Sequence, residues 1–461
     1  MIQKKMTDFF ALEGNYPDLD GEGAAARLSA AIRCKTINYF DHSRTDYTEF
    51  DKLHAHIKAS YPNIMRVGTF ERIGHHAVLI TIPGSDASLR PCLYMSHQDV
   101  VPVVEGTEQD WTHPAFSGDI ADGYIWGRGT LDTKGTLLGV MEAAEAMIAR
   151  GFVPEHDIYL AFAGDEEIAG TGAPTTVKLL KARGVHAALV VDEGGAVVEN
   201  VFPGVSRPCA LVGIGEKGSV NFEFSLASKG GHASAPPAHT LVGRLARAVT
   251  RVEGKPFPAR MTKATAELFD TLGRHSTFVY RMIFANLWCF LPLLDLICKK
   301  QGGELNALMR TTCAFTMMEG SRAANVLPPK ARMVANLRLI SGDTASSAAE
   351  ALRAVIQDDG IAVRRLNGDD PSPFSRTDSE GWRRLRRAIR ATWPEALVSP
   401  YLMIAGSDSR HFSAISENVM RFCPMALSTE ERGYIHGHNE RIPVEKLGTL
   451  VEFYLRLIAQ C

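Results

Sequence analysis

The sequence predicts an α/β protein: a central, mostly parallel sheet flanked by helices, interrupted by a smaller inserted α+β domain. Three observations predict it. Apolar runs of strand length alternate with helix-period segments between about residues 76 and 191, the pattern of a layered α/β fold. The character changes after Val205, where a half-exposed strand begins a differently patterned stretch that lasts to about residue 340. A length of 461 residues also exceeds the size at which one hydrophobic core stops growing, so at least two domains are expected. The boundaries read from these shifts are 1–212 and 341–461 for the two parts of the first domain, and 213–340 for the insert.

Residues 22–34 and 47–60 carry apolar side chains at helical spacing, Leu28, Ala31 and Ile32 in one, Phe50, Leu53 and Ile57 in the other. Residues 76–83 and 91–96 read as neighbouring strands, and 119–126 as a hairpin-like segment turning at Asp122-Gly123. Residues 134–150 make a strong helix, with Leu137, Leu138, Val140, Met141, Ala144 and Met147 on a broad apolar face and Gly151 closing it. A strand (158–163), a helix (171–183) and a strand (187–191) follow. In the insert, 219–226 alternates as a half-exposed strand. A glycine-rich loop at 229–237, a helix at 241–252, a loosely patterned block to about 320 and a strand pair at 333–340 complete it. Short strands at 401–405 and 419–423 and a closing helix at 444–459 end the chain.

Composition excludes little but points nowhere unusual: 45% apolar, 22% charged, net charge −2. That balance offers no electrostatic case for nucleic acid or an anionic membrane. The eight cysteines include no Cys-x-x-Cys pair and read as reduced thiols of a reducing, cytoplasmic compartment. Residues 1–10 have the charges of a signal peptide without an apolar region behind them. The stretch 278–298 could be mistaken for a membrane span. It carries Arg281, Asn286 and Asp295, each costly at bilayer depth, so an amphipathic or buried helix pair is expected.

The chemistry gathers at strand ends. The apolar run 91–95 delivers His97 and Asp99 two residues apart, on one side of an extended chain. They form either a polar turn or a metal ligand with a carboxylate that fixes its tautomer. Asp132 stands at the mouth of the strong helix, as an N-cap or as a ligand reached by the tight path that Gly127 and Gly129 allow. Asp165, Glu166 and Glu167 end another apolar strand, where three acids repel unless solvated or neutralised by a cation. Asp192 and Glu193 repeat the pattern before two glycines. Ligands of open α/β sheets bind outside the carboxyl ends of strands, so the coincidence of these four places favours a metal. Late in the chain only the segment with His436 and His438 is histidine-rich. Histidine with carboxylate and no cysteine suits zinc or a similar cation. More ligands stand ready than one zinc uses, and two ions sharing a carboxylate would use them all.

These stretches resemble the M20 family of metallopeptidases, and within it the branch of Gly-Xaa carboxypeptidases and N-acyl-amino-acid hydrolases. The matching residues are Ser-His97-Gln-Asp99-Val-Val-Pro, Ile-Trp-Gly-Arg-Gly-Thr-Leu-Asp132-x-Lys-Gly, Asp-Glu166-Glu167, Val-Asp192-Glu-Gly, Gly-Gly-His232-Ala-Ser, Asn325-Val-Leu-Pro, Asn-Leu-Arg338 and His436-x-x-Asn-Glu440, in order from about residue 22 onward. The resemblance implies a zinc-exopeptidase-type catalytic domain with an inserted lid and dimerisation domain, and two zinc ions per subunit that cobalt or manganese could replace. It implies that His97 binds one zinc, oriented by Asp99, and that Asp132 bridges both. Glu167 and His436 would complete one site and Asp192 the other, with Glu193 the less favoured candidate there. Glu166 would be the general base toward a metal-bound water, and His232 the oxyanion donor to a partner's active site in a homodimer. Asn325, Arg338 and the Gly406-Ser-Asp-Ser-Arg410 loop would hold the substrate's carboxylate.

Thr133 departs from the branch, which commonly has an acid there; altered loop hydrogen bonding rather than loss of metal is expected. His438 is the rejected twin of His436, and His75, His76, His113, His239 and His411 are read as structural or surface. The expected reaction is hydrolysis of an amide next to a C-terminal amino acid, in a dipeptide or an N-acyl amino acid. Arginine with asparagine offers planar, multi-donor recognition of a terminal carboxylate, and a histidine oxyanion donor is worth about 3–4 kcal/mol. The block around 278–296 is expected to line an acyl pocket, with Phe290 and Leu294 the residues whose replacement would weaken long-chain substrates. The competing reading is a non-catalytic amino-acid- or peptide-binding protein, which has no need of Glu166. A two-carboxylate glycosidase fails on the adjacency of Glu166 and Glu167.

Overall fold

The computed structural model describes residues 19–74, 76–201 and 204–461. The N-terminal stretch weighed as a signal peptide, and His75, lie outside the described residues.

Two sheets organise the chain. The first begins with β1 (Thr69–Ile73), β2 (Ala77–Ile82), β3 (Cys92–His97), β4 (Ile158–Ala163), β5 (Leu189–Val198) and β6 (Cys209–Glu216). The second holds β7 (Gly218–Ala227), β8 (Thr312–Glu319), β9 (Lys330–Leu339) and β10 (Ala362–Asp369). The chain then returns to the first through β11 (Leu397–Met403) and β12 (Val419–Leu427), giving the order β1-β2-β4-β3-β5-β12-β6-β11. Its centre is parallel: β3 pairs with β4 and β5, and β5 with β12. The β1–β2–β4 edge is antiparallel. Every residue of β3 and β4 is buried, as the continuous apolar runs of strands covered on both faces require.

One face of this sheet is covered by the Lys134–Ala149 and Val444–Ile458 helices, whose Leu137, Met141, Leu450 and Tyr454 share a core with Tyr94 and Leu160. The opposite face is covered by the Gly172–Ala182 helix through Ala173, Val177 and Leu180. The Lys134–Ala149 helix is buried almost all round, which fits a helix at the centre of a large core. Each large apolar side chain so buried is worth roughly 1.5–3 kcal/mol.

The second sheet is antiparallel, in the order β8-β9-β7-β10. Val220, Phe222, Phe224 and Leu226 of β7 alternate inward, against Leu245 and Val252 of the Leu241–Gly254 helix and Leu352 of the Ala345–Ile356 helix. The insert expected to end at 340 therefore continues to Asp369, because β10 pairs with β7. Its middle belongs elsewhere: Ala264, Leu268, Leu272 and Leu308 pack into the core of the first sheet. Apolar periodicity reports that a helix face is buried, not which of two cores receives it. The stretch expected as a helix pair is one, Phe278–Ala285 and Leu287–Gln301, but it is largely exposed rather than buried. Among the described residues no single helix is long and apolar enough to cross a membrane.

Candidate metal centre

The site forms where β3, β4 and β5 end or bend, beside the loop that precedes the Lys134–Ala149 helix. At the end of β3, His97 is buried, and its Nδ1 faces the backbone oxygen of Asp99 at 2.9 Å. That contact aims Nε2 at the Asp132 Oδ1, 3.0 Å away, and the Glu193 Oε2 at 3.6 Å. The other oxygen of Asp132 lies 3.0 Å from His436 Nε2, which is 3.1 Å from Glu167 Oε1. Two groups of possible ligands result, His97–Asp132–Glu193 and Asp132–Glu167–His436, each with its atoms within 4.8 Å of one another. Asp132 offers one oxygen to each. Nitrogen with carboxylate donors in two groups sharing a carboxylate is a set that suits two divalent cations.

Electrostatics point the same way. Burial, reinforced by the charge on Glu193, raises Glu166 well above the usual carboxylate range. Burial raises Glu193 to about 8 and Asp192 to about 6. Burial also opposes the charge of Asp132, but hydrogen bonds from His436 and His97 hold it below the usual range. The bonds to Asp132 and then Glu167 raise His436 to about 10. Without cations, this cluster keeps protons that carboxylates normally release; a bound cation inverts that preference.

The scaffold explains the placement. The carboxylate of Asp99 also faces His97, its Oδ1 3.5 Å from Nδ1. It accepts the backbone N–H groups of Glu166 (3.2 Å) and Glu167 (3.0 Å), so Asp99 aims His97 through its carbonyl and holds the acidic turn through its side chain. Of the three acids there, Asp165 turns inward to accept the N–H groups of Thr171 and Gly172 at the start of the Gly172–Ala182 helix, where partial positive charge favours a carboxylate. Thr133 is buried, its Oγ1 bonded to Ser96 Oγ at 2.7 Å and accepting from the His97 N–H at 3.2 Å. The threonine thus ties the Asp132 loop to β3.

Glu440 is a functional position that the sequence reading quoted within a motif without assigning it a role. Fully buried, it accepts from the N–H groups of Gly129 (3.0 Å), Leu131 (2.9 Å) and Asp132 (3.2 Å) and pairs with Arg128 at 2.7 Å. Arg128 donates in turn to the carbonyls of His436 and Gly437, and His436 adopts a left-handed φ of 60°. One buried ion pair therefore shapes the two loops that carry Asp132 and His436. A glutamate four residues after His436 and directly after Asn439 was visible in the sequence; its reach across the fold was not.

One expectation is corrected. Asp192 was favoured over Glu193, but the structure brings Glu193 to His97 and Asp132, while the Asp192 carboxylate accepts the N–H of Ser409 at 3.0 Å. The ladder supplies the reason: Arg421 of β12 pairs with Asp192, and the next residue, Phe422, pairs with Gly195. Glu193 and Gly194 form a bulge, and bulges re-aim side chains. The acids that read as a strand exit sit inside β5.

His232 and Asn325 sit together at a separate, exposed two-stranded ribbon, Gly231–His232 against Val326–Leu327, where the Ala233 N–H donates to Asn325 O at 3.0 Å. The Ser234 N–H donates to His232 Nδ1, which leaves the ring proton on Nε2. Arg338 bonds Asn336 and is lowered by burial and by neighbouring Arg410. Gly406 lies beside Glu216, which is buried against Arg421 and accepts from Ser407. No hydrogen bond or ion pair among the described residues joins His232, Asn325, Arg338 or Gly406 to the two metal groups. His438 turns away to Thr107, 2.9 Å from its Oγ1.

An apolar cavity of about 200 Å³ opens beside the centre, lined by Gly194, Leu268, Phe269, Leu272, Leu308 and Ile435 among others. Gly194 follows Glu193 and Ile435 precedes His436 in the chain, while none of the five residues of the metal groups lines the cavity itself. Neither Phe290 nor Leu294 lines it; its helical wall comes from the segments flanking 278–296.

With this geometry in place, comparisons with known proteins become specific. The pattern of peptidase family M20/M25/M40 matches residues 93–460. The chain is 37% identical over 440 residues to a probable carboxypeptidase S-like 2 from Dictyostelium discoideum, covering 94% of this chain and 84% of that one. It is 34% identical over 437 residues to the N-fatty-acyl-amino acid synthase/hydrolase PM20D1 of Homo sapiens, covering 94% and 86%. The fold is similar to the crystal structure of the M20 family metallo-carboxypeptidase Sso-CP2 from Sulfolobus solfataricus, with a TM-score of 0.70 and 17% identity over 95% of this chain and 98% of that one. It is also similar to human carnosine dipeptidase 1, with a TM-score of 0.65 and 16% identity over 100% and 99%.

Proposed function

Because this chain belongs to peptidase family M20/M25/M40, and is a metallohydrolase that cleaves amide bonds next to amino acids, we propose that its preferred substrates are N-acyl amino acids with an apolar acyl group. Dipeptides with a free C-terminal carboxylate are the secondary substrates. The observation that carries this preference is the mainly apolar cavity whose lining includes the chain neighbours of Glu193 and His436. The relatives named N-fatty-acyl-amino acid synthase/hydrolase support it.

In this reading His97, Asp132 and Glu193 hold one zinc ion, and Asp132, Glu167 and His436 the other; cobalt or manganese could replace them. Bound there, the ions would acidify water and polarise the scissile carbonyl. Glu166 takes the proton of the attacking water and delivers it to the leaving nitrogen. Arg338, Asn325 and the loop at Gly406 bind the free carboxylate. His232, with its proton on Nε2, donates to the developing oxyanion of a partner subunit in a homodimer joined through the second sheet's domain. A reducing, cytoplasmic setting belongs to the same proposal, supported by eight unpaired cysteines.

The test is a hydrolysis screen of Gly-Xaa dipeptides against N-fatty-acyl amino acids, after chelation and with zinc, cobalt or manganese restored. Turnover of acyl-leucine well above that of Gly-Leu is expected; the reverse ranking would overturn the acyl preference. Glu166→Ala should abolish turnover and keep its metal, whereas unchanged turnover would overturn Glu166 as the base; absence of turnover in the wild-type, metal-restored chain would favour a binding protein.

A further inference from the structure

The Phe278–Ala285 and Leu287–Gln301 helices carry more apolar surface than their neighbours cover. Phe278 is 79% exposed and Trp288 83%, with Val279, Met282, Leu293 and Leu296 also outward. Among their described side chains only Phe284 and Cys298 are buried. An apolar surface of this kind marks a contact with something else. We propose that the helix pair seats the protein on an anionic lipid surface, lying in the headgroup layer without crossing the bilayer.

Neither helix is long enough to cross alone. The helices have 8 and 15 residues, about 12 and 22 Å at the α-helical rise, and each is short of the ~30 Å hydrocarbon core. Together they have the hydropathy of a span but bend by 107° at the break. Apolar helices too short to span, with tryptophan and cations at their margins, lie in the interface.

Charge selects the occupant. Between residues 274 and 300 stand Arg274, Arg281, Lys299 and Lys300 against one carboxylate, Asp295, in a chain whose net charge is −2. Asp295 is shared between Lys299 and buried Arg310, and Arg274 pairs with Asp270 of the preceding helix. The remaining balance is cationic, around an apolar face. A second copy meeting this face by two-fold symmetry would set the same cations against each other. Anionic headgroups would pair with them while the apolar side chains enter the acyl boundary. Whole-chain charge averages this local excess away, and Arg281, Asn286 and Asp295 within 278–298 oppose crossing a bilayer rather than lying at its surface.

The place is apt. Phe284 stacks on Phe269 with ring centroids 5.4 Å apart, and Phe269 lines the apolar cavity beside the metal centre. A lipid surface under the helix pair would therefore lie against that cavity's outer wall. The docking itself does not depend on which substrate the site prefers.

The experiment is co-sedimentation of the full chain with vesicles of phosphatidylcholine containing one-third phosphatidylglycerol, beside vesicles of phosphatidylcholine alone. Pelleting with the anionic vesicles, weakened by salt, is expected. Trp288 is the exposed one of five tryptophans, Trp111, Trp126, Trp382 and Trp393 being buried, so its fluorescence should shift to the blue on binding. The double variant Trp288→Ser with Leu296→Ser should bind about tenfold more weakly while hydrolysing a water-soluble dipeptide at the unaltered rate. Lys299→Glu with Lys300→Glu should remove the preference for anionic vesicles. Failure of the wild-type chain to pellet overturns the proposal. So does light scattering that shows a wild-type dimer split to monomers by the serine variant, since a second copy would then cover the face.

Discussion

At Asp192 and Glu193 two adjacent carboxylates take different partners, and the bulge in β5 separates them. If the two-ion proposal holds, Glu193→Gln should therefore lower the bound metal of a metal-replete protein by about half, and Asp192→Asn should leave metal content near wild type while loosening the loop at Ser409. Inductively coupled plasma analysis of both variants decides it; the opposite pattern would restore Asp192 to the centre. Glu440 acts through backbone. Glu440→Ala would leave Arg128 buried without its partner, a change that costs about 3–5 kcal/mol, and would free the N–H groups of Gly129, Leu131 and Asp132. Urea denaturation should show the loss, and metal affinity should fall with it.

At the scale of elements, the block between residues 263 and 309 contains two kinds of helix. The Lys263–His275 helix buries Leu268, Phe269 and Leu272 against the first sheet's core or the cavity, whereas the helix pair after it turns apolar residues outward. Leu272→Trp should fill the cavity. KM for long-chain acyl amino acids should rise several-fold while hydrolysis of Gly-Leu changes little. Equal losses on both substrates would show that the cavity is not used for binding. A stability cost of about 1–3 kcal/mol is expected if the larger side chain strains its surroundings, so substrate ranking is the readout.

For the whole molecule, the metal centre sets the response to pH. Metal-free, Glu193 is raised from an ordinary 4.5 to about 8 and His436 from 6.5 to about 10. Each binds its proton more tightly in the folded chain than in the unfolded one. The contribution of His436 is complete below pH 6.5 and disappears as pH rises toward 10; the cost of ionising Glu193 grows between 4.5 and 8. Both slopes have the same sign, so these two groups make the chelated protein lose stability as pH rises from 5.5 to 8.5, offset in part above pH 7 by Lys217 and Lys134, which burial lowers to about 7 and about 8 and whose slopes have the opposite sign. Metal binding requires deprotonated ligands and releases those protons, so the stabilisation that zinc confers should widen over the same range. Calorimetry with and without chelator at both pH values measures the gap; a gap that narrows would contradict the assignment.

Much of the site was legible in the sequence because its residues are announced locally. His97 closes an apolar strand, Asp132 opens a strong helix, Glu166 and Glu167 end another strand, and His436 lies in the late histidine-rich segment. Strand period, helix period and turn chemistry are short-range properties, so they survive in the order of residues. What tertiary structure alone decided depends on partners distant in the chain. The choice of Glu193 over Asp192 rests on how Arg421 and Phe422 pair across the ladder, and the role of Glu440 on backbone some three hundred positions earlier. The second sheet's extension to Asp369 rests on pairing with β7, and the placement of Leu268 and Leu272 on which apolar core lies nearer. Hydrophobicity is non-directional: the sequence determined that the helices near residues 263–309 were apolar, and only the fold determined which side chains it covered and which it left facing out.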